Sequence, residues 1–320
     1  MNALQLIVAL VRDLNIPAKN ALRLVNTAPH QYRHYQIPKR TGGMRDIYHP
    51  TPALKSVQRW LCSKVFSSLP VHDAVHSYRE GRNIRSHAEL HVDSNYLLRL
   101  DFVDFFPSLD KYWLIDFLRQ SVARGHFTLN DDAIKLISRL VCRFSEKERS
   151  MALSIGAPSS PSISNAILFD LDSAISEASS RLGCTYTRYA DDLYISCREP
   201  QILGELEVVV RNLVKEMTPK LAINEAKSLR VSRKTKRVVT GLILTPDRSI
   251  SLGRDRKRSI RTKVYLYQIG QLSGEDSTSL AGLLAFANDV EPRFIESLRH
   301  KFGMATIDTL LFLGDSRDSS

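Results

Sequence analysis

The chain has 320 residues, 43% of them apolar and 25% charged, which fits one large or two to three modest soluble domains and excludes a disordered or collagen-like chain. Forty-five Lys and Arg against 34 acidic residues leave a formal charge of +11, which points to a polyanionic partner. The scattered Cys62, Cys142, Cys184 and Cys197 form no C-x-x-C pair, so neither a disulfide framework nor a zinc ribbon is expected, and reduced thiols fit a cytoplasmic setting.

In chain order, Ala3 to Val11 is apolar but too short to span a bilayer, and no other stretch is long enough, so no membrane partner is expected. Residues 4 to 36 read as helical in two pieces, broken at Ile16-Pro17 and punctuated by Pro29. Ile37 to Tyr48 reads as two short strands joined by a Gly42-Gly43 turn, a hairpin with basic flanks. A helix follows over 52–69. Tyr96 to Phe102 is a buried strand candidate, ended by the Phe105-Phe106-Pro107 corner, with helices over 110–120 and about 130–143. Gly156 to Asn165 is rich in turn formers and reads as a loop leading into a helix over 166–180. Thr185 to Cys197 offers two β-rich runs around Ala190 to Asp192, a hairpin with acids at its tip. A helix over roughly 201–217, one strand over 238–244 and a mostly helical remainder complete an α+β chain with a polar, disordered tail at 315–320.

Charge is concentrated. From Lys227 to Lys263 there are thirteen basic residues and two acids, Asp247 and Asp255, a local surplus equal to that of the whole chain. A helix over 254–269 places Arg254, Arg258 and Arg261 on one stripe and Ile260, Val264 and Tyr267 on another, so it can pack and still present cations. A surface used only for solubility intersperses both signs.

Asp191 and Asp192 stand side by side at the expected hairpin tip, and Asp101 ends the other buried strand. Adjacent carboxylates in a partly desolvated place raise a pKa or require a cation, and all-oxygen ligation suits Mg²⁺. A plainer reading has the Asp pair favouring the turn and Asp101 capping the next helix, and spacing alone does not choose between them.

Tyr189-Ala190-Asp191-Asp192 is similar to the Y-x-D-D box of reverse transcriptases, and Asp101-Phe102-Val103-Asp104-Phe105-Phe106-Pro107-Ser108 resembles their first palm motif. Leu153 to Pro161 resembles the family's L-P-Q-G-x-P-x-S-P motif, with Ser154-Ile155 in place of Pro-Gln, which leaves open whether position 155 still contacts the template. Lys39, Gly43 and Arg45 resemble the fingers, and Asn224 to Lys227 the lysine motif after the palm hairpin. Within the superfamily the likeness is to bacterial retron reverse transcriptases: Ser86 to His91 resembles the retron N-A-x-x-H box, with His87 where Asn is usual, and Val239-Thr240-Gly241 matches the V-T-G triplet.

The resemblance implies a right-hand polymerase: an N-terminal helical layer over 1–36, fingers at 37–95, a palm at 96–245 with an inserted fingers segment, and a basic helical thumb at 246–314. It implies RNA-directed DNA synthesis by a two-metal Mg²⁺ mechanism, with Asp101, Asp191, Asp192 and the Phe102 carbonyl at the metals. Lys39, Arg45, Phe105, Phe106 and Lys227 are then expected at the nucleotide, Phe106 as the ring that excludes a ribose 2′-hydroxyl and Lys227 as a proton donor to pyrophosphate. His87, His91, Val239, Thr240, Gly241, Arg254, Arg258 and Arg261 are expected at RNA. The implied partners are deoxynucleoside triphosphates, a cognate structured non-coding RNA, its RNA-linked single-stranded DNA product and an effector protein of phage defence. No ribonuclease H, endonuclease or maturase module is expected after the thumb. Other stand-alone bacterial reverse transcriptases, group II-intron-like or abortive-infection types, share most of these motifs, and an RNA-binding scaffold that sequesters an effector is the reading of a different class.

His72 and His76, and His87 and His91, show the i, i+4 spacing of zinc ligands. No Cys or acid completes either pair, so packing or hydrogen bonding to backbone and RNA is the expectation.

Overall fold

A computed structural model of the chain describes residues 1–38 and 42–315. Two helices open it, α1 (Ala3–Leu14) and α2 (Ala18–Thr27). Asn2 caps α1 with a reciprocal box to Gln5, and left-handed Asn15 ends it ahead of Pro17. The hairpin follows as β1 (Tyr32–Pro38) and β2 (Met44–Pro50). It is longer than expected, because Tyr32 to Gln36 is strand rather than helix, paired from Tyr32↔Pro50 onward. The β-rich Tyr-Arg-His-Tyr run overrides the weak helical spacing there.

Next come α3 (Pro52–Lys64), α4 (Ile84–Glu89), β3 (Tyr96–Asp101), α5 (Phe105–Ser108), α6 (Lys111–Ala123) and α7 (Asp131–Val141). The short hairpin β4 (Arg143–Ser145) and β5 (Ser150–Ala152) was not expected. Helix α8 (Ser159–Ile167) begins inside the stretch expected as a loop. Pro161 sits in its first turn, where no N–H is needed. Then follow α9 (Phe169–Arg181), β6 (Thr185–Tyr189), β7 (Asp192–Cys197), α10 (Pro200–Met217) and β8 (Leu229–Ser232). The single strand expected over 238–244 is two, β9 (Arg237–Val239) and β10 (Leu242–Leu244). Val239 pairs with Leu242, so Thr240 (φ 45) and Gly241 (φ 84) form a two-residue turn, with a third strand β11 (Ile250–Ser251) alongside. Helices α11 (Arg254–Gln268), α12 (Gly274–Val290), α13 (Pro292–Phe302) and α14 (Met304–Asp315) end the described chain. Among the described residues no helix is long and apolar enough to cross a membrane.

The central sheet is antiparallel in the order β6-β7-β3-β8. Its pleat sorts the side chains. Leu98, Leu100, Leu193 and Ile195 point to a core that also takes Leu6 and Leu10 of α1 and Leu203 and Leu206 of α10. The intervening Leu97 and Tyr194 join a second core with Val239, Ile260, Leu284 and Ile295. Arg99 and Asp101, at the same parity as Leu97, and Asp192, at the same parity as Tyr194, therefore share the sheet face that the second core only partly covers.

Candidate active site

Asp101 and Asp192 face each other as register partners on β3 and β7. The turn between β6 and β7 is Ala190-Asp191, because Tyr189 pairs with Asp192. Beyond β3 the chain stays tied to this turn: the Phe102 N–H donates to the Asp191 carbonyl at 3.2 Å, and Phe102 bridges to Ile223. The three carboxylate-bearing residues thus gather at one sheet end, which spacing alone left open.

Their partners differ. Asp101, nearly buried, accepts a 2.8 Å hydrogen bond from Lys227 Nζ. Lys227 is placed there by a turn in which its N–H donates to the Asn224 carbonyl while the Asn224 N–H donates to the Asp101 carbonyl. Asp192 accepts two hydrogen bonds from Arg99, Nε to Oδ1 at 2.9 Å and Nη2 to Oδ2 at 3.1 Å. Burial, with help from Asp191 and Asp101, pushes the Asp192 carboxyl up to about 6, against the pull of Arg99. Among the described residues no cation forms an ion pair with Asp191, whose carboxyl is raised by burial and then by the charge of Asp101. Also among the described residues, no group of three His, Cys, Asp or Glu is arranged as a ready metal cage. Both oxygens of Asp192 are committed to Arg99.

The donor set still fits a divalent cation. Two close carboxylates in a desolvated pocket, one without a counter-ion, are the arrangement that a hard dication relieves. Asp101 and Asp191 are the residues that would hold it.

Under the turn lies a fully buried frame. Arg188 and Asp172, both 0% exposed, pair at 2.6 Å; Tyr186 donates to the same carboxylate at 2.7 Å, and Arg188 Nη1 donates to the Ala190 carbonyl at 3.0 Å. Tyr78, exposed and left-handed at φ 58, lies close enough to Asp191 and Arg45 to feel their charges. Arg45 is exposed on the β1–β2 hairpin, and its charge is also felt at Asp191. Lys39 lies outside the described residues. Phe106 is partly buried beside the site.

Several expected contacts need correction. Phe105 is 5% exposed and stacks on Phe102 at 5.9 Å, so its ring belongs to the core and presents no surface to a nucleotide. His87 and His91 are 0% exposed and present no surface to RNA. His87 Nε2 and His91 Nε2 both meet Thr187 Oγ1, at 2.6 and 2.8 Å, and His91 Nδ1 meets Ser196 Oγ at 2.7 Å, so this pair ties α4 to the sheet. Burial lowers the two imidazoles to about 2 and about 3. Val239 is likewise 0% exposed, whereas Thr240, whose N–H donates to Tyr194 Oη at 3.2 Å, is partly exposed and Gly241 is exposed. Arg254 and Arg258 are exposed on α11, whereas Arg261 lies over the Phe294 ring at 5.0 Å. Sequence reasoning missed Arg99 and Arg188. Alternation along β3 from Asp101 puts Arg99 on the carboxylate face and was a usable signal; nothing local flags Arg188.

Residues 37–244 match the family model described as Reverse transcriptase (RNA-dependent DNA polymerase). The chain belongs to the reverse transcriptase family. Within it the relatives are retron enzymes, so this chain is a retron-type reverse transcriptase. It is 38% identical over 282 residues to the retron Ec83 reverse transcriptase of Escherichia coli, covering 87% of this chain and 89% of that protein. To the retron Ec73 enzyme of the same organism it is 33% identical over 304 residues, 92% and 95% of the two chains. To the retron Mx162 enzyme of Myxococcus xanthus it is 34% identical over 293 residues, 84% of this chain and 60% of that one. This reverse transcriptase has the right-hand polymerase fold and is an RNA-directed DNA polymerase with nucleic acid partners; reverse transcriptases use divalent metal ions.

Proposed function

We propose that this retron reverse transcriptase holds Mg²⁺ between Asp101 and Asp191, with the Phe102 carbonyl, and copies one cognate structured RNA into RNA-linked single-stranded DNA. The observation that supports the site is the placing of Asp101 at the end of β3 and of Asp191 in the β6–β7 turn, where Asp191 feels the charge of Asp101 and has no ion pair of its own among the described residues. Bound there, the metal lowers the pKa of the primer hydroxyl and neutralises the triphosphate. The protein's side chains do the rest. Arg99 fixes Asp192 as a neutralised neighbour. Lys227, half-exposed and bonded to Asp101, holds a proton beside the leaving pyrophosphate. Arg45, with Lys39, binds the triphosphate from the fingers, and Phe106 packs against C2′ of the sugar. On α11, Arg254 and Arg258 contact RNA phosphates.

Phage defence alongside an effector protein, in the cytoplasm, completes the proposal. The direct test is to isolate the DNA that accumulates with the protein in its host cells and treat it with ribonuclease. DNA retaining a 2′-linked ribonucleotide supports the reading; DNA with an ordinary free 5′ end contradicts it. Loss of phage protection in Asp191→Asn tests the defence role in the same cells.

A further inference from the structure

Residues 74–78 run beside β6 toward the catalytic turn. Val75 forms a parallel bridge with Arg188. The Arg188 N–H donates to the Ala74 carbonyl at 2.8 Å, and the His76 N–H donates to the Arg188 carbonyl at 2.9 Å. One residue further on, Ser77, 0% exposed, reaches the turn itself: the Ala190 N–H donates to Ser77 Oγ at 2.8 Å. Ser77 is in turn locked, because its carbonyl accepts from Asn165 Nδ2 at 3.1 Å and Asn165 Oδ1 accepts from Arg188 Nη1 at 3.2 Å.

Ala190 has φ 56, a left-handed conformation that an alanine adopts at a steric cost. It is also buried, at 8% exposure, so an unpartnered N–H would add a desolvation cost. Two buried side chains from different segments meet both needs. Ser77 fixes the peptide plane before Ala190, and Arg188, through the Ala190 carbonyl, fixes the plane after it. With both planes held, the backbone angles of Ala190 are held too, and these set the direction in which Asp191 leaves the turn.

We propose that Ser77 is a positioning residue of the polymerase reaction, its hydroxyl aiming the Asp191 carboxylate from a segment outside the palm hairpin. This rests on the reading of Asp191 as a metal-holding carboxylate. The serine touches neither nucleotide nor metal; it acts through Ala190.

The test is single-nucleotide incorporation by the full chain on a generic RNA template with a DNA primer, across an Mg²⁺ titration, with melting temperature and template affinity measured in parallel. Ser77→Ala should lower the maximal rate about 10- to 100-fold, the order of loss expected when a reacting group is slightly misplaced. It should also raise the Mg²⁺ needed for half-maximal rate, while the KM for the nucleotide and the template affinity stay within about threefold. Ser77→Cys keeps the volume but offers a poor acceptor. It should lose rate without losing melting temperature, which keeps the proposal testable if the alanine variant folds badly. Wild-type rate and Mg²⁺ requirement in both variants would overturn it, as would losses of rate that only track losses of melting temperature and template affinity. Asp191→Asn separates the two readings: a dead Asp191→Asn beside fully active Ser77 variants removes only the role of Ser77, whereas an active Asp191→Asn removes the site and that role together.

Discussion

Arg99 on β3 and Asp192 on β7 are diagonal neighbours across one ladder, and the guanidinium grips the carboxylate through two hydrogen bonds at 2.9 and 3.1 Å. The Y-x-D-D pair is thus split electrostatically, Asp192 being paired with a cation of the protein and Asp191 having none among the described residues. Arg99→Ala and Asp192→Asn should each slow incorporation, and the double variant should be no slower than Arg99→Ala alone, a coupling on the order of 1 kcal/mol. Multiplying losses in the double variant would show that the two side chains act independently.

The place proposed for Phe106 against the sugar is testable. An aromatic ring against C2′ discriminates by clash, so Phe106→Val should admit ribonucleotides more readily. An unchanged deoxy-to-ribo preference in single-nucleotide incorporation would make Phe106 simply a core residue beside Phe105.

On α11, Arg254 and Arg258 are exposed, and on the proposed reading of them as phosphate contacts their replacement by Ala should weaken binding of every RNA and flatten the salt dependence of affinity. Arg261→Ala should in addition lower the melting temperature, because Arg261 covers Phe294. Filter binding at several salt concentrations, with a melting curve for each variant, distinguishes the two effects.

The buried imidazoles make stability depend on pH. In the folded chain His87 and His91 take up protons only near about 2 and about 3, whereas unfolded histidines titrate near about 6.5. Below pH ~6.5 the unfolded state therefore binds more protons, and stability present at pH 7 is lost as the pH falls, by about 1.4 kcal/mol per imidazole per pH unit. Urea unfolding at pH 7.5 and 5.5 checks this; His91→Gln should shrink the difference, and equal midpoints at both pH values in the wild type would contradict it.

The site was legible in the sequence wherever chemistry coincides with a local pattern. Asp101 closes a buried strand, and Asp191 and Asp192 belong to a β-turn, so alternation and turn chemistry gave their positions, while their joint role came only from the likeness to the Y-x-D-D box and the first palm motif. The likeness to V-T-G and to the retron histidine box pointed to the right family, but the RNA contacts expected of Val239, His87 and His91 do not fit their burial: they are fixed by packing between α4, the sheet and the β9–β10 turn, which no local pattern reveals. The same holds for Arg188 and Asp172, buried charges that make sense only as a pair joined across α9 and β6. Strands β4, β5 and β8 were invisible because each is four residues or fewer, too short for an alternating signal.

The most direct measurement is primer extension with Mg²⁺ on an annealed RNA template, comparing wild type with Asp101→Asn and Asp191→Asn, alongside RNA affinity. Each variant should lose several orders of magnitude in DNA synthesis while binding RNA within a few-fold of wild type, since the carboxylates stabilise the transition state and the basic surfaces carry the binding. DNA synthesis at the wild-type rate in either variant would contradict the assignment of this reverse transcriptase's active site to Asp101 and Asp191.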